Sequence, residues 1–247
     1  GRMPLAMREY DLAALTKRVT APFRPWAEEE GLSFQVEMET DSLNVWVDVE
    51  RYEHILANLL SNAIKYTPED GTVRVRVQRA DDHAEISVWD TGPGLPENIR
   101  KRIFDDEQSS IPVRPEAGGV SGDEGADPWI GMGIGLAHAR ALVRRHHGHL
   151  TVESEPGFGT ELTVRLPLGR EHVTEADEAD PDEAVAVEDR AVDVDLWRDP
   201  SASGAAVSPD SVPADAAEVL VVDDEAEMRG YLQALLSPNY RVTTVAT

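Results

Sequence analysis

The sequence predicts an α+β fold in which helices cover one face of a sheet. Helical and strand segments follow one another irregularly, without the alternating units that build a parallel α/β sheet. Residues 72–79 alternate apolar and charged side chains, and the segment 84–89 follows a short acidic turn, so the two are predicted to pair as a hairpin. Apolar side chains at helical spacing over 49–66 predict a main helix that packs on this sheet.

The other elements follow from apolar spacing and from the residues that begin and end helices. Residues 9–30 have helical spacing, and Pro22 and Pro25 are expected to interrupt or bend this helix before Gly31 ends it. Asp48 is the predicted N-cap of the main helix. The remaining predictions are strands at 33–38, 44–48, 149–155 and 160–166, helices near 96–104 and 133–147, and an irregular segment over 105–130.

Composition excludes several classes of protein. The chain has 247 residues, with 47 acidic and 23 basic side chains and a formal net charge of −24, which argues against a nucleic-acid binder. The absence of cysteine excludes disulfides and thiolate metal sites. No apolar run approaches the ~18 residues that a membrane span needs. We expect this segment to be cytoplasmic and to make no membrane contact, whereas a region outside it could anchor the parent protein in a membrane.

The charge distribution divides the chain. Residues 171–218 hold 15 acidic and 2 basic side chains, together with much Ala, Pro and Ser. Such a segment buries too little apolar surface to order itself, so 170–217 is predicted to be a disordered linker. We place a domain at 9–169 and the start of a second one at 218–247, and interpret 1–8 as an appended sequence or the end of an upstream linker.

A polar stripe on the main helix is the first candidate site. His54, Asn58 and Asn62 lie at i, i+4 and i+8, and Lys65 and Tyr66 extend the stripe by one turn. A carboxamide oxygen can ligate Mg²⁺ and its NH₂ group can meet phosphate oxygens, while a lysine supplies a point charge for phosphate. A solvated polar face explains this stripe equally well when the helix is considered alone.

Two glycine-rich segments are the other candidates. Residues 90–94, Asp-Thr-Gly-Pro-Gly, directly follow a predicted strand, where the carboxylate can accept a hydrogen bond from an exocyclic amine such as adenine N6. An ordinary Asp-Gly turn is the alternative. Residues 131–136, Gly-Met-Gly-Ile-Gly-Leu, open a helix, where backbone N–H groups can meet an anion. Their spacing differs from the dinucleotide-binding fingerprint.

Taken together and in this order, the three motifs resemble the catalytic ATP-binding domain of sensor histidine kinases, within the gyrase, Hsp90, histidine kinase and MutL group. Residues 54–67 resemble the N box, 90–94 the G1 box and 131–136 the G2 box, and Ile103-Phe104 the start of the F box. The resemblance covers 9–169. It implies a Bergerat-type two-layer sandwich, with a mixed sheet and about three helices on one face, that binds ATP with Mg²⁺.

The resemblance also implies roles for individual residues. Asn62 would ligate Mg²⁺ with support from Asn58, Lys65 would contact phosphate, and Asp90 would bind the adenine amine with help from Thr160 through water. Asn58 and Lys65 are the implied catalytic residues, and 105–130 the implied lid. The full implied nucleotide-binding set is Asn58, Asn62, Lys65, Tyr66, Asp90, Gly92, Gly94, Gly131, Gly133, Gly135, Leu136 and Thr160.

Asn58 separates two possible reactions. The resemblance implies that the hydrolase branches of the group have a water-activating Glu at the corresponding position. An Asn cannot take up a proton near neutral pH. This favours phosphoryl transfer to an outside acceptor over hydrolysis of the gyrase or Hsp90 type. A non-catalytic nucleotide-sensing module remains a third possibility, because Glu107 stands where the F box usually has a second Phe and the lid is acidic.

The segment 218–247 resembles the start of a response-regulator receiver domain. Asp223 and Asp224 match its Mg²⁺-binding acidic pair, and its phosphoacceptor aspartate is expected beyond Thr247. The acceptor histidine is expected on a dimerisation domain that this chain lacks. We therefore predict part of a hybrid sensor histidine kinase, whose partners are that domain and a receiver domain or response regulator. This part is expected to bind Mg-ATP without autophosphorylating, and 218–247 to be disordered or partly folded.

Overall fold

The computed structural model describes residues 5–95, 97, 100, 132–174, 177, 192, 194–198, 218–222 and 240–245. The chain divides into two compact units, Gly1–Val192 and Asp193–Thr247. Within the described residues, every helix is too short or too polar to cross a membrane.

The first unit contains seven described strands and four described helices. The strands are β1 (Arg8–Asp11), β2 (Ser33–Met38), β3 (Asn44–Val47), β4 (Thr72–Ala80), β5 (His83–Asp90), β6 (His149–Glu155) and β7 (Gly159–Pro167). The helices are α1 (Leu12–Thr20), α2 (Phe23–Glu29), α3 (Val49–Tyr66) and α4 (Met132–Arg145).

Five of these strands form one mixed sheet in the order β2-β4-β5-β7-β6. The pair β2–β4 is parallel and the other three pairs are antiparallel. The hairpin β4–β5 confirms the prediction from the alternating pattern, and Asp81 adopts a φ of 52° in its turn. Val73, Val75 and Val77 are fully buried, whereas the arginines between them lie on the opposite, half-exposed face. The alternation of the sequence therefore separates the core face from the solvated face.

The helix α3 begins and ends where the sequence predicts. The Asp48 carboxylate accepts a hydrogen bond from the Arg51 N–H at 3.1 Å, which caps the helix, and the Asp48 N–H donates to Nε2 of His146 at the end of α4 at 3.1 Å. The helices α3 and α4 pack on one another and on the central strands. The apolar stripe of α3 is buried, including Ile55, Leu56, Leu59, Leu60 and Ile64. This arrangement confirms the predicted two-layer sandwich.

The N-terminal helix prediction is wrong at its start and right about its interruption at Pro22. Residues 9–11 belong to β1, which pairs with β3, because Asp11 ends the strand and caps α1 by accepting from the Ala13 N–H at 3.0 Å. The rest of the segment is two helices separated at Ala21 and Pro22, which confirms the predicted interruption at Pro22, whereas Pro25 lies within α2. The layer holds four described helices where the resemblance implied about three. Gly31, with a φ of +72°, ends α2 as predicted.

Residues on both sides of the predicted 9–169 domain also pack in this unit. Leu5 and Met7 are buried, and the Met7 N–H donates to the Asp177 carbonyl oxygen at 2.8 Å. The predicted helix at 133–147 ends at Arg145, and His147 then adopts a φ of +58°.

The second unit contains a short helix, α5 (Asp195–Arg198), and two parallel strands, β8 (Glu218–Val222) and β9 (Arg241–Val245). Val221 is buried, whereas Leu220, Val222 and Val245 are exposed. Asp223 and Asp224, the predicted acidic pair, lie outside the described residues.

Candidate functional site

A cleft lies between α3, the start of α4 and the carboxyl end of β5. Six of its lining residues were predicted from the sequence: Asn62, Tyr66, Asp90, Gly94, Leu136 and Thr160. The other lining residues are Leu59, Ala63, Val88, Pro93, Leu95 and Leu162. The cleft therefore combines an apolar wall with a few polar groups at defined places, which is the usual composition of a small-molecule site.

Asn62 is one of the polar residues that line this cleft. Its amide nitrogen is buried, yet it has no hydrogen-bond partner among the described residues. A buried polar group without a partner costs about 1–3 kcal/mol. The arrangement is therefore suited to a ligand that supplies the missing partner.

Asn58 and Lys65 occupy different surroundings from Asn62. Asn58 is 5% exposed, and its amide nitrogen donates to the His54 carbonyl oxygen at 2.9 Å. Its amide oxygen lies where a side chain on Gly135 would have to go, 2.6 Å from an ideal Cβ at that position. Asn58 thus lies in the contact between α3 and α4 and not among the lining residues. Lys65 is exposed in the last turn of α3.

Asp90 is the buried carboxylate of the site, with 9% of its surface exposed. Burial raises the pKa of its carboxyl group to about 6, although hydrogen bonds from the Gly92 and Thr160 backbone N–H groups lower it in part. The Gly92 N–H donates to Oδ1 at 2.8 Å. These donors hold the carboxylate in one orientation at the wall of the cleft, where its remaining lone pairs can accept from a ligand.

The loop after β5 is held against the β6–β7 turn. The Gly157 N–H donates to the Pro93 carbonyl oxygen at 2.7 Å, and Gly94, with a φ of +74°, lies so close to Glu155 that an added Cβ would overlap its backbone oxygen. A Cβ on Gly92 would lie 2.7 Å from the Asp90 carboxylate. Close packing therefore requires glycine at both positions. The same packing shapes this side of the cleft.

The structure describes the third motif, residues 131–136, only from residue 132 onward. Gly133 and Gly135 lie in the first turn of α4, and Leu136 is fully buried in the wall of the cleft. Gly131, Ile103-Phe104, Glu107 and the predicted lid at 105–130 lie outside the described residues, as does most of the predicted helix at 96–104.

Ser154 on β6 is a polar neighbour of the site that the sequence motifs did not single out. Its hydroxyl accepts a hydrogen bond from the Leu95 N–H at 2.7 Å and so ties the loop after β5 to the edge of the sheet. Only the strand register, which pairs Ser154 with Thr160 and Thr160 with Asp90, brings this residue to the cleft.

The arrangement defines a class of protein: an ATPase-type domain with a Bergerat sandwich. One family model, described as "Histidine kinase-, DNA gyrase B-, and HSP90-like ATPase", matches residues 47–170. The chain belongs to this family.

Two named relatives narrow the assignment. The sensor histidine kinase TmoS of Ectopseudomonas mendocina is 33% identical over 247 residues, which are 98% of this chain and 24% of TmoS. The adaptive-response sensory kinase SasA of Synechococcus sp. (strain JA-3-3Ab) is 36% identical over 163 residues, 66% of this chain and 40% of SasA. The chain thus spans between a quarter and two fifths of these relatives. The matched segment is the ATP-binding catalytic domain of a sensor histidine kinase.

Solved structures share the fold. The nucleotide-free catalytic domain of histidine kinase ThkA is similar with a TM-score of 0.53 and 24% identity, covering 66% of this chain and 96% of that one. Full-length ShkA in complex with AMPPNP is similar with a TM-score of 0.53 and 21% identity, covering 100% of this chain and 42% of that one. At these identities the similarity concerns the fold alone.

Proposed function

We propose that the cleft binds ATP with Mg²⁺ and that the parent protein transfers the γ-phosphoryl group to a histidine on a dimerisation domain. The observation that carries the proposal is the polarity of the cleft. A buried carboxylate, Asp90, lies at one end, and the unpartnered amide of Asn62 lies on the adjoining helix. The apolar wall between them suits a planar base.

Asp90 and Thr160 are the proposed base-binding groups. The carboxylate accepts from the exocyclic amine of adenine, and the Thr160 hydroxyl supports this contact, directly or through water. Gly92 and Gly94 let the chain pass close to the base, and Tyr66 and Leu136 pack beside the nucleotide.

Asn62, Asn58 and Lys65 are the proposed groups for the phosphate end. The buried, unpartnered amide of Asn62 fits a metal–phosphate ligand, since a neutral carboxamide offers one oxygen to Mg²⁺ or its NH₂ group to phosphate. Mg²⁺ bound with the nucleotide would neutralise charge on the phosphates. Lys65 is the proposed phosphate contact, and Asn58 positions α4 relative to α3. The proposed role of the G2-box glycines is to face the phosphates and to hinge the lid; they are Gly131, Gly133 and Gly135.

Phosphoryl transfer is proposed in preference to hydrolysis. The bond between the γ-phosphorus and the bridging oxygen breaks, a bond to the acceptor nitrogen forms, and ADP leaves. Positioning dominates such transfers, and Asn58 has no carboxylate to take a proton from water.

Features of the second unit support the proposal that a receiver domain is the next acceptor of the phosphoryl group. Parallel strands with apolar side chains on both faces, as in β8, are typical of sheets covered on both sides. We propose that 218–247 begins such a domain, with Asp223 and Asp224 as Mg²⁺ ligands, and that 170–217 is its acidic tether. ThkA has been solved with the response regulator TrrA, and we propose a partner of that class here.

Calorimetric titration with ADP, with MgCl₂ and with EDTA, tests the phosphate end. Asn62→Ala should lose most of the Mg²⁺-dependent gain in affinity, roughly tenfold or more. Asn44→Ala, at an exposed position of β3, is the matched control and should retain the gain. An Asn62→Ala variant with the wild-type ratio would remove Asn62 from the metal site.

Incubation with γ-labelled ATP tests the reaction. The separately produced dimerisation domain of the parent protein should become labelled on histidine when this chain is added. Rapid phosphate release at saturating ATP, without label on that domain, would instead assign the chain to the hydrolases.

A further inference from the structure

Three polar side chains lie in one row across the sheet at the base-binding end of the cleft. The register pairs Asp90 on β5 with Thr160 on β7, and Thr160 with Ser154 on β6. Side chains paired in this way share a face of the sheet, which here is the helix-covered face, because Asp90 and Thr160 are both buried. Ser154 thus lies behind Thr160 as seen from Asp90.

The Ser154 hydroxyl makes three contacts with hydrogen-bond geometry. It accepts from the Leu95 N–H at 2.7 Å, donates to the Gly159 carbonyl oxygen at 3.0 Å, and lies 3.0 Å from Oγ1 of Thr160. A serine hydroxyl has one proton and two acceptor lone pairs. The carbonyl oxygen cannot donate, so the single Ser154 proton is used by Gly159.

The direction of the remaining bond follows from this count. If the Ser154 proton goes to Gly159, the bond between the two hydroxyls must use the proton of Thr160. Thr160 therefore donates toward Ser154, away from the cleft, and turns its oxygen lone pairs toward the cleft that it lines. Asp90 and Thr160 then both present acceptors to a bound base.

We propose that Ser154 is a specificity-positioning residue: it orients the Thr160 hydroxyl as an acceptor, so that the site favours a purine with a 6-amino group over one with a 6-oxo group. The inference rests on the proposed adenine-nucleotide function and deepens it. An amino group supplies two protons to the two acceptors. A 6-oxo group would place its own lone pairs against theirs, and an unpaired polar contact of this kind weakens binding.

The predicted effect of Ser154→Ala is a change in preference between two ligands. The variant leaves the Thr160 proton free to rotate into the cleft, where it can donate to a 6-oxo group. ADP and IDP are suitable probes, because their bases differ in the 6-amino or 6-oxo group and in the N1 proton that accompanies the 6-oxo form. The ratio of ADP to IDP affinity, measured by calorimetry in MgCl₂, should fall by roughly tenfold, since one neutral hydrogen bond is at stake. Ser154→Thr keeps the hydroxyl and should restore the ratio.

A double-mutant cycle separates this role from simple support of the loop through Leu95. Thr160→Val removes the hydroxyl that Ser154 orients, so it should lower the ratio by itself, and adding Ser154→Ala should change the ratio no further. Equal weakening of ADP and IDP in Ser154→Ala would overturn the proposal, because it indicates a structural role alone. An unchanged ratio in Thr160→Val would also overturn it, even if Ser154→Ala failed to fold.

The wild-type titration distinguishes the two levels of the proposal. A folded wild-type chain that binds neither nucleotide would overturn the proposed function and this inference with it. Binding of ADP with a ratio insensitive to both substitutions would overturn the inference alone.

Discussion

At the scale of single residues, Asp90 shows a conflict between stability and function. The carboxyl group is buried and held by two backbone N–H donors, yet burial still raises its pKa to about 6. A raised pKa means that the folded state disfavours the charged form. The unliganded domain therefore carries a charge that weakens it and that a ligand amine would stabilise.

Asp90→Asn should accordingly stabilise the unliganded domain at pH 7. The shift of roughly two units corresponds to on the order of 2–3 kcal/mol as an upper value, at 1.36 kcal/mol per unit. The stability that Asp90 contributes is fully present below about pH 4, the unfolded pKa, and is lost as pH rises through about 6. Urea denaturation should therefore give Asp90→Asn a larger free energy of unfolding than the wild type at pH 7.5, and an equal one at pH 4. A variant less stable than the wild type at pH 7.5 would contradict this account.

At the scale of elements, the sheet and α3 were predictable because local signals agreed. Alternation predicted β4 and β5, and Asp48 marked the start of α3. The parallel pairing of β2 with β4 was not predicted, since register between distant strands leaves no local pattern. The strand β1 was missed for the same reason: its partner β3 lies more than thirty residues further along the chain.

The sequence motifs likewise predicted part of the candidate site. Asn62, Asp90 and Thr160 lie at the cleft as the motifs indicated. Asn58 was expected to support the phosphates or the metal. Its side chain bonds to the preceding turn of α3 and faces Gly135 of α4, and its role at the phosphates stays a prediction. Ser154 could not be found without the register of β6 and β7.

Two glycines with similar φ values, one in the loop after β5 and one in the β6–β7 turn, test the importance of the close approach between these segments. Gly94 has a φ of +74° and Gly157 a φ of +84°. A Cβ on Gly157 meets nothing within 4 Å, whereas one on Gly94 overlaps the Glu155 backbone oxygen. Gly157→Ala should cost only the conformational strain, about 1–2 kcal/mol. Gly94→Ala should cost more and also weaken ADP binding. Equal losses in urea denaturation would show that the close approach is unimportant.

At the scale of the whole molecule, more than half of the net charge of −24 falls within residues 171–218. The segment 171–218 alone holds 15 acidic and 2 basic side chains. Self-repulsion among these carboxylates supports the proposal that the segment is a tether. A nucleotide site needs no basic surface, because Lys65, Mg²⁺ and backbone N–H groups are the proposed partners of the phosphates.

Two truncations test where the first unit ends. Removal of 193–247 should leave its melting temperature unchanged, because each unit is compact. Removal of 170–247 should lower the melting temperature by several degrees. The buried N-terminal segment then loses the bond from the Met7 N–H to Asp177, which is worth about 1 kcal/mol. Identical melting of the two truncated chains would place the boundary at 169, as the sequence alone predicted.

The most direct test of the nucleotide site is a calorimetric titration of ADP with Mg²⁺ into the wild type and Asp90→Asn, both shown to be folded by circular dichroism. We expect saturable one-to-one binding to the wild type and at least tenfold weaker binding to the variant. No binding to the folded wild type, or equal affinity in the two proteins, would contradict the assignment of the cleft and of Asp90 to adenine recognition.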